Sequence, residues 1–122
     1  MTRTVRIALV GLGNVGRAFL DLMVEKAALL AERHDLALVL TAAADSSAAL
    51  LDGRGINPAA LRGHKAGGSR LATFPGAQPG LPSPEMVRHA EADMVLDASP
   101  VNLCDGQPGL DCVRIALERG LP

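Results

Sequence analysis

The stretch Val5-Arg-Ile-Ala-Leu-Val-Gly11-Leu-Gly13-Asn-Val-Gly16 decides the fold of this chain. Residues 5–10 form a short, nearly continuous apolar run, which is typical of a strand buried on both faces. Three glycines follow with the spacing Gly-x-Gly-x-x-Gly, directly before a segment with helical periodicity. In that context Gly11 permits a tight turn, Gly13 lets a phosphate approach the backbone, and Gly16 lets helix and strand pack closely. The pattern predicts a dinucleotide site with the pyrophosphate at the helix N-terminus.

The segments on either side of this motif predict alternating strands and helices. Apolar residues recur at helical spacing over residues 14–33, and a second apolar run covers residues 36–42. Turn signals at Asp52-Gly53 and Gly55 and a proline-rich stretch at 74–84 predict irregular structure, with a loop at 63–69. The remaining predicted elements are a helical turn at 58–62, a helix capped by Ser83 and ending near residue 91, a strand at 94–97 and a helix at 110–119.

Strand, helix and strand in this order predict an α/β fold with a Rossmann-type parallel sheet and flanking helices. The expected strand order is second, first, third. The chain stops after a helix, where the next strand of such a fold would begin, so we expect a sheet that is incomplete on its C-terminal side. We expect residues 1–122 to form one domain, and the open sheet edge to favour association into homo-oligomers.

Composition excludes several classes of function. Lys and Arg total 12 against 13 Asp and Glu, so the net charge of -1 argues against nucleic acid as a partner. No apolar run is long enough for a membrane span. The apolar run near the N-terminus is too short for the hydrophobic region of a signal peptide, and this favours the cytoplasm. Cys104 and Cys112 lack zinc or redox spacing and are expected to be free thiols. The three histidines are scattered and read as surface residues, so we predict no metal site.

An acid at the end of the second strand would bind the adenine ribose hydroxyls. Asp35 has nearly the expected spacing but precedes the strand, so we favour Asp45, which follows it, with Ser46 beside it. A turn aspartate is the alternative for Asp45, because Asp and Ser readily begin turns. Lys65 and Arg54 are candidates for a 2′-phosphate. The carboxylate favours NAD slightly over NADP.

The third strand ends in Asp97-Ala98-Ser99-Pro100, next to the first strand at the topological switch point. Asn102, Asp105 and Gln107 are candidates for the nicotinamide end, although polar loop residues are commonly just solvated. No residue is predicted to be catalytic. The predicted cofactor-binding residues are Gly11, Leu12, Gly13, Asn14, Val15, Gly16, Asp45, Ser46, Ala98, Ser99 and Pro100.

Several of these motifs, in this order, resemble the N-terminal nucleotide-binding part of homoserine dehydrogenase. They are Ile-Ala-Leu-Val-Gly-Leu-Gly-Asn-Val-Gly-Arg-Ala-Phe-Leu at 7–20, Ala-Ala-Asp-Ser-Ser at 43–47, Asp-Gly-Arg-Gly-Ile at 52–56, Asp-Ala-Ser-Pro at 97–100, Asp-Gly-Gln-Pro-Gly at 105–109 and Ala-Leu-Glu-Arg-Gly at 116–120. The proline-rich stretch has no assigned counterpart.

The resemblance implies NAD(P)-dependent interconversion of homoserine and aspartate semialdehyde, in amino-acid biosynthesis. It also implies that the segment supplying the catalytic lysine, and the substrate and dimerisation region, lie beyond the residues present here. We therefore expect the chain alone to be inactive. Two alternatives stay open: a free-standing regulatory module that senses a nucleotide, and part of an S-adenosylmethionine-dependent methyltransferase.

Overall fold

A computed structural model describes residues 2–100 and 103–122. They form a five-stranded sheet in the order β4-β3-β2-β1-β5, with helices on both faces. The strands are β1 (Arg3–Val10), β2 (Leu36–Ala44), β3 (Ala48–Ile56), β4 (Gln78–Pro79) and β5 (Met94–Asp97). The helices are α1 (Asn14–Glu25), α2 (Ala27–His34), α3 (Pro58–Ala66), α4 (Ser83–His89) and α5 (Gly109–Glu118), with a 3-10 turn at Leu71–Thr73.

The centre of the sheet is β1, which pairs in parallel with β2 on one side and β5 on the other. This confirms the predicted Rossmann-type fold and the order of its first three predicted strands. Residues 7–10 of β1 are buried, as expected for a central strand, whereas the first half of the strand is more exposed. There Arg6 pairs with Asp93, with 3.1 Å between Nη2 and Oδ1.

Successive side chains of β1 enter two different cores, because neighbouring residues of a strand point to opposite faces. Leu9 packs in the core beneath α1 and α3, with Leu20 and Leu61. Ala8 and Val10 pack in the core beneath α4 and α5. On that second face the sheet contributes mostly alanines, which are Ala8, Ala42, Ala44 and Ala49.

A bulge at Thr41 interrupts the pairing of β1 with β2. Ile7 pairs with Leu40 and Ala8 with Ala42, so Thr41 is one residue in excess. Its side chain is 1% exposed, and its hydroxyl donates to the Glu91 carbonyl oxygen at 2.9 Å. The hydroxyl thus ties the middle of β2 to the segment between α4 and β5.

The sequence-based prediction was wrong between residues 48 and 56, where the turn signals lie inside β3. Pairing of β3 with β2 stops at Leu51 opposite Ala42 and resumes at Ile56 opposite Leu40. The intervening residues are irregular, and Gly55 has φ +116°. The turn residues therefore mark an irregularity within an antiparallel strand rather than its end.

Four other boundaries also differ from the prediction. The helix expected over 14–33 divides at Lys26, and α2 has no buried residue. α3 extends through most of the predicted loop at 63–69. The proline-rich segment contributes β4, which pairs with β3. Ser83 is not the N-cap of α4, because Pro82 takes that position and the buried Ser83 hydroxyl accepts from the Cys112 thiol at 3.5 Å.

The C-terminal helix ends as predicted, at a glycine in left-handed conformation. Gly120 has φ +74°, its N–H donates to Leu117, and the Leu121 N–H donates to Ala116. The Pro122 carbonyl then accepts from the N–H of Val95 at the edge strand β5. Homo-oligomers formed through this edge stay a prediction. No helix in the described residues is long and apolar enough to cross a membrane.

We expect Thr41→Val to lower the free energy of unfolding by about 1–3 kcal/mol, because it leaves the Glu91 carbonyl without its buried donor. Urea unfolding followed by circular dichroism would measure the loss. Thr4→Val, at an exposed position of β1, is the matched control and should stay within about 0.5 kcal/mol of the parent. Equal stability of both variants would contradict a role for the Thr41 hydroxyl.

Candidate dinucleotide site

A cavity of about 1070 Å³ opens at the carboxyl ends of β1 and β2 and beside the end of β5. The predicted site residues that line it are Gly11, Leu12, Gly13, Asp45, Ser46, Ser99 and Pro100. Asn14, Val15, Gly16 and Ala98 lie next to it without lining it. This is the position at which open α/β sheets bind ligands.

Two of the three glycines are required by packing. A Cβ on Gly16 would overlap the carbonyl oxygen of Gly11, so the helix could not approach β1 this closely with any other residue. Gly11 has φ +97°, and a Cβ there would lie 2.6 Å from the Ala98 carbonyl oxygen. Both observations agree with the roles predicted from the motif.

The middle glycine is different, because nothing in the protein occupies the space beside it. A Cβ on Gly13 would meet no heavy atom within 4 Å, and Gly13 lines the cavity. The protein backbone itself does not require glycine here. The free space next to Gly13 is available to a ligand.

The N-terminus of α1 follows Gly13 without a side-chain cap and without an acidic residue in the first turn. Its N–H groups and partial positive charge are thus not neutralised by a local carboxylate. Asn14 does not cap the helix, since its Oδ1 accepts from Arg17 at 2.6 Å. Val15 is 69% exposed. This end of the helix is suited to an anion such as a pyrophosphate.

Asp45 follows β2, as predicted, and its carboxylate is engaged by the protein. Oδ1 accepts from the Ser47 N–H and hydroxyl at 2.8 and 2.7 Å and from the Ala48 N–H at 3.1 Å. Oδ2 accepts from Lys65 Nζ and from the Leu71 N–H, both at 2.8 Å. Only 11% of the Asp45 side chain and 15% of the Lys65 side chain are exposed. Asp45 is therefore neither a solvated turn residue nor a free acceptor in this structure.

Burial and hydrogen bonding act in opposite directions on this carboxyl group. Burial alone would favour the neutral acid, but the hydrogen bonds from Lys65, Ser47 and the Leu71 N–H hold the pKa of Asp45 far below its ordinary value. The group is charged throughout the physiological range.

The end of β5 places Ala98 and Ser99 against the glycine turn. The Ala98 N–H donates to the Val10 carbonyl at 2.7 Å, and the Ser99 N–H donates to Asp97 Oδ1 at 3.0 Å. Gln107 lines the cavity, but its Oε1 accepts from the Asp111 N–H of α5. Asp105 accepts from the Gln107 N–H, and the candidate Asn102 lies outside the described residues.

The structure separates the two candidate cations for a 2′-phosphate. Lys65 lines the cavity, whereas Arg54 is 97% exposed on β3 and lies 3.9 Å from Asp52. Sequence reasoning missed two walls of the cavity, formed by residues 68–70 and 80–84. The glycines and prolines of these segments indicate loops. They do not indicate that these loops lie beside the carboxyl edge of the sheet.

Neither cysteine forms a disulfide bond in the structure, and Cys112 is buried whereas Cys104 is exposed. His34 and His89 are exposed, as predicted, whereas His64 is half-buried and packs edge-on against Phe74, with ring centroids 5.2 Å apart. Among the described residues no group of three or more His, Cys, Asp or Glu side chains is placed to hold a metal ion.

The lowered pKa of Asp45 predicts how its contribution to stability depends on pH. A depressed pKa in the folded state means that this contribution is complete above the unfolded pKa of about 4 and is lost as the pH falls below it. Asp45→Asn should be less stable than the parent at about pH 7, and the gap should narrow by about pH 3. Urea unfolding at both pH values measures this, with Asp52→Asn, whose side chain is 40% exposed, as the control. A gap that does not change with pH would contradict the prediction.

Comparison with known proteins identifies relatives along nearly the whole chain. No family model matches the sequence. A curated relative, the NAD(+)-dependent homoserine dehydrogenase of Pseudomonas canavaninivorans, is 28% identical over 116 residues, which is 94% of this chain and 33% of that protein. The chain thus spans about a third of the length of the relative that it matches.

Solved structures of homoserine dehydrogenases match the fold of this chain. Homoserine dehydrogenase from Thermoplasma acidophilum matches 98% of this chain with a TM-score of 0.78 and 22% identity. A hyperthermophilic archaeal homoserine dehydrogenase in complex with NADPH also has a TM-score of 0.78, at 18% identity. A putative homoserine dehydrogenase from Archaeoglobus fulgidus has a TM-score of 0.73 and 26% identity. This chain covers about a third of each solved chain. The resemblance to homoserine dehydrogenases that the motifs carry is thus confirmed, by the curated relative in sequence and by the solved structures in fold.

Proposed function

We propose that residues 1–122 form the NAD(P)-binding domain of a homoserine dehydrogenase. The free space beside Gly13, at the uncapped N-terminus of α1, is the observation that carries this proposal. A glycine that the protein's own packing does not need is explained when a ligand approaches its backbone. The names of the relatives support a nicotinamide dinucleotide as that ligand.

The residues present fit such a ligand along the length of the cavity. The pyrophosphate would lie against Gly13 and the N–H groups at the start of α1. The adenosine half would extend toward the end of β2, where Asp45 and Ser46 lie. The nicotinamide half would extend toward the end of β5, beside Ser99 and Pro100.

The bound cofactor would supply the hydride chemistry, and the protein would orient it and exclude water. The ionisable side chains among the described lining residues are Asp45, Lys65 and Arg70. All three belong to the side of β2, the adenosine half. The described lining residues of the nicotinamide half therefore include no ionisable side chain that could polarise an aldehyde.

The choice between NAD and NADP, and the cytoplasmic location, stay predictions. The curated relative is named as NAD(+)-dependent, whereas the archaeal structure contains NADPH. The slight preference for NAD was inferred from a free carboxylate at Asp45. That carboxylate pairs with Lys65 at 2.8 Å, so each of the two charges reduces the influence of the other on a ligand.

We expect Gly13→Val to fold normally and to lose binding of both NAD and NADP, because its side chain would occupy the space proposed for the pyrophosphate. Isothermal titration would measure binding, and thermal unfolding would confirm the fold. Gly63→Val is the matched control, since Gly63 also has open space beside it but lies on α3 away from the cavity. Gly16→Val should instead destabilise the protein, because its Cβ meets backbone.

Two results would contradict the proposal. One is a folded Gly13→Val variant that binds either cofactor as tightly as the parent. The other is competition by S-adenosylhomocysteine but not by adenosine diphosphate ribose, which would favour a methyltransferase.

We also expect this chain, purified alone, to bind cofactor but to transfer no hydride. The reason is that the ionisable lining groups lie at the adenosine half. The test mixes the chain with aspartate semialdehyde and reduced NAD or NADP and follows nicotinamide absorbance. A full-length homoserine dehydrogenase under the same conditions is the positive control. Turnover above background, in a preparation free of host enzyme, would contradict this expectation.

A further inference from the structure

The two oxygens of the Asp45 carboxylate contact different parts of the chain. Oδ1 accepts from Ser47 and Ala48, within the turn that joins β2 to β3. Oδ2 accepts from Lys65 and Leu71, which lie 20 and 26 residues further along the chain. One side chain thus joins the end of β2 to the segment between α3 and the 3-10 turn.

That segment forms a wall of the cavity and has little regular structure of its own. Residues 68–70 line the cavity, and Gly68 has φ +80°. The wall is held at both ends: Lys65 and Leu71 bond to Asp45, and the Ala72 N–H donates to the Ser47 hydroxyl oxygen at 3.1 Å. Its position therefore depends on contacts with the turn after β2.

The same contacts leave the carboxylate without capacity for a ligand. An ionised carboxylate has about four lone-pair sites, and here it accepts from five donor groups. A ribose hydroxyl could bond to Asp45 only by displacing the Lys65 ammonium or the Leu71 N–H. Displacement would leave a largely buried cation or amide without its partner, which is costly.

We propose that Asp45 is a positioning residue: it fixes residues 68–70 as the wall at the adenosine half of the cavity and does not itself accept the ribose hydroxyls. This rests on the proposed cofactor site. The hydroxyls of Ser46 and Ser69 and the guanidinium of Arg70 belong to residues that line the cavity, and they are then the polar groups available to the ribose.

Asp45→Asn separates the two roles. The amide oxygen can keep the contacts of Oδ1, whereas the amide nitrogen cannot accept from Lys65 or Leu71. Dissociation constants are measured for NAD and for nicotinamide 2′-deoxyadenine dinucleotide, which lacks the 2′-hydroxyl of the adenine ribose but keeps the 3′-hydroxyl. A positioning role predicts that both ligands weaken by the same factor, about tenfold, with faster amide hydrogen exchange at 68–72. Asp52→Asn should change neither constant. A larger loss for NAD than for the 2′-deoxy ligand would overturn the proposal, as would no loss for either ligand.

Lys65→Met gives an independent test, because the two roles of Asp45 predict different changes in the binding of NAD. It applies even where Asp45→Asn fails to fold. The variant removes one of the two hydrogen bonds to Oδ2, so the wall is held less firmly and the Asp45 carboxylate loses one of its five donors, while the Leu71 N–H still binds it. A positioning role predicts weaker binding of NAD, whereas a ribose acceptor predicts unchanged or tighter binding. NAD lacks a 2′-phosphate, so the lysine has no phosphate on the adenine ribose with which to pair. If the parent chain binds neither NAD nor NADP, the proposed function fails and not merely the role of Asp45.

Discussion

The close approach of α1 to the ends of β1 and β5 is the constraint on which the rest of the structure depends. At Gly16 the helix backbone lies against the Gly11 carbonyl, and Gly11 in turn lies against Ala98 and Ser99, which directly follow β5. Three chain segments thus meet where no side chain fits. This contact sets the direction in which α1 leaves the sheet, and it places the helix N-terminus at the floor of the cavity.

On the second face of the sheet, small side chains again allow helices to pack closely. Its alanines let α4 and α5 pack close to the strands, and the core there is filled from the helices by Met86, Val87 and Ile115. With two phenylalanines and no tyrosine or tryptophan in the chain, many small contacts replace a few large ones. The start of α4 is thereby held beside the sheet, and Ser83 and Pro84 become part of the cavity wall.

The parts of the fold that could be predicted from the sequence are those with a local physical signature. The glycine motif, the buried run of β1 and the glycine after α5 each report a backbone requirement of their own residues. β3 could not be predicted, because its glycines and Asp52 resemble a turn and only pairing with β2 makes the segment a strand. The position of Asp45 was predictable but its partners were not, since Lys65 and Leu71 reach it through tertiary structure.

The bulge at Thr41 divides β2 into two half-strands with separate alternation. Leu40 belongs to the core beneath α1 and α3, yet Ala42, two residues later, belongs to the opposite core. An unbroken strand would place both on one face. Loss of Thr41 would remove the bulge and restore regular alternation, so residues 36–40 and residues 42–44 would each keep their face and their pairing with β1. The cost of such a loss lies in the hydrogen bond from the Thr41 hydroxyl to Glu91 and not in the alternation of the strand. Length variation in this part of the chain is best tolerated before β2, in the exposed helix α2.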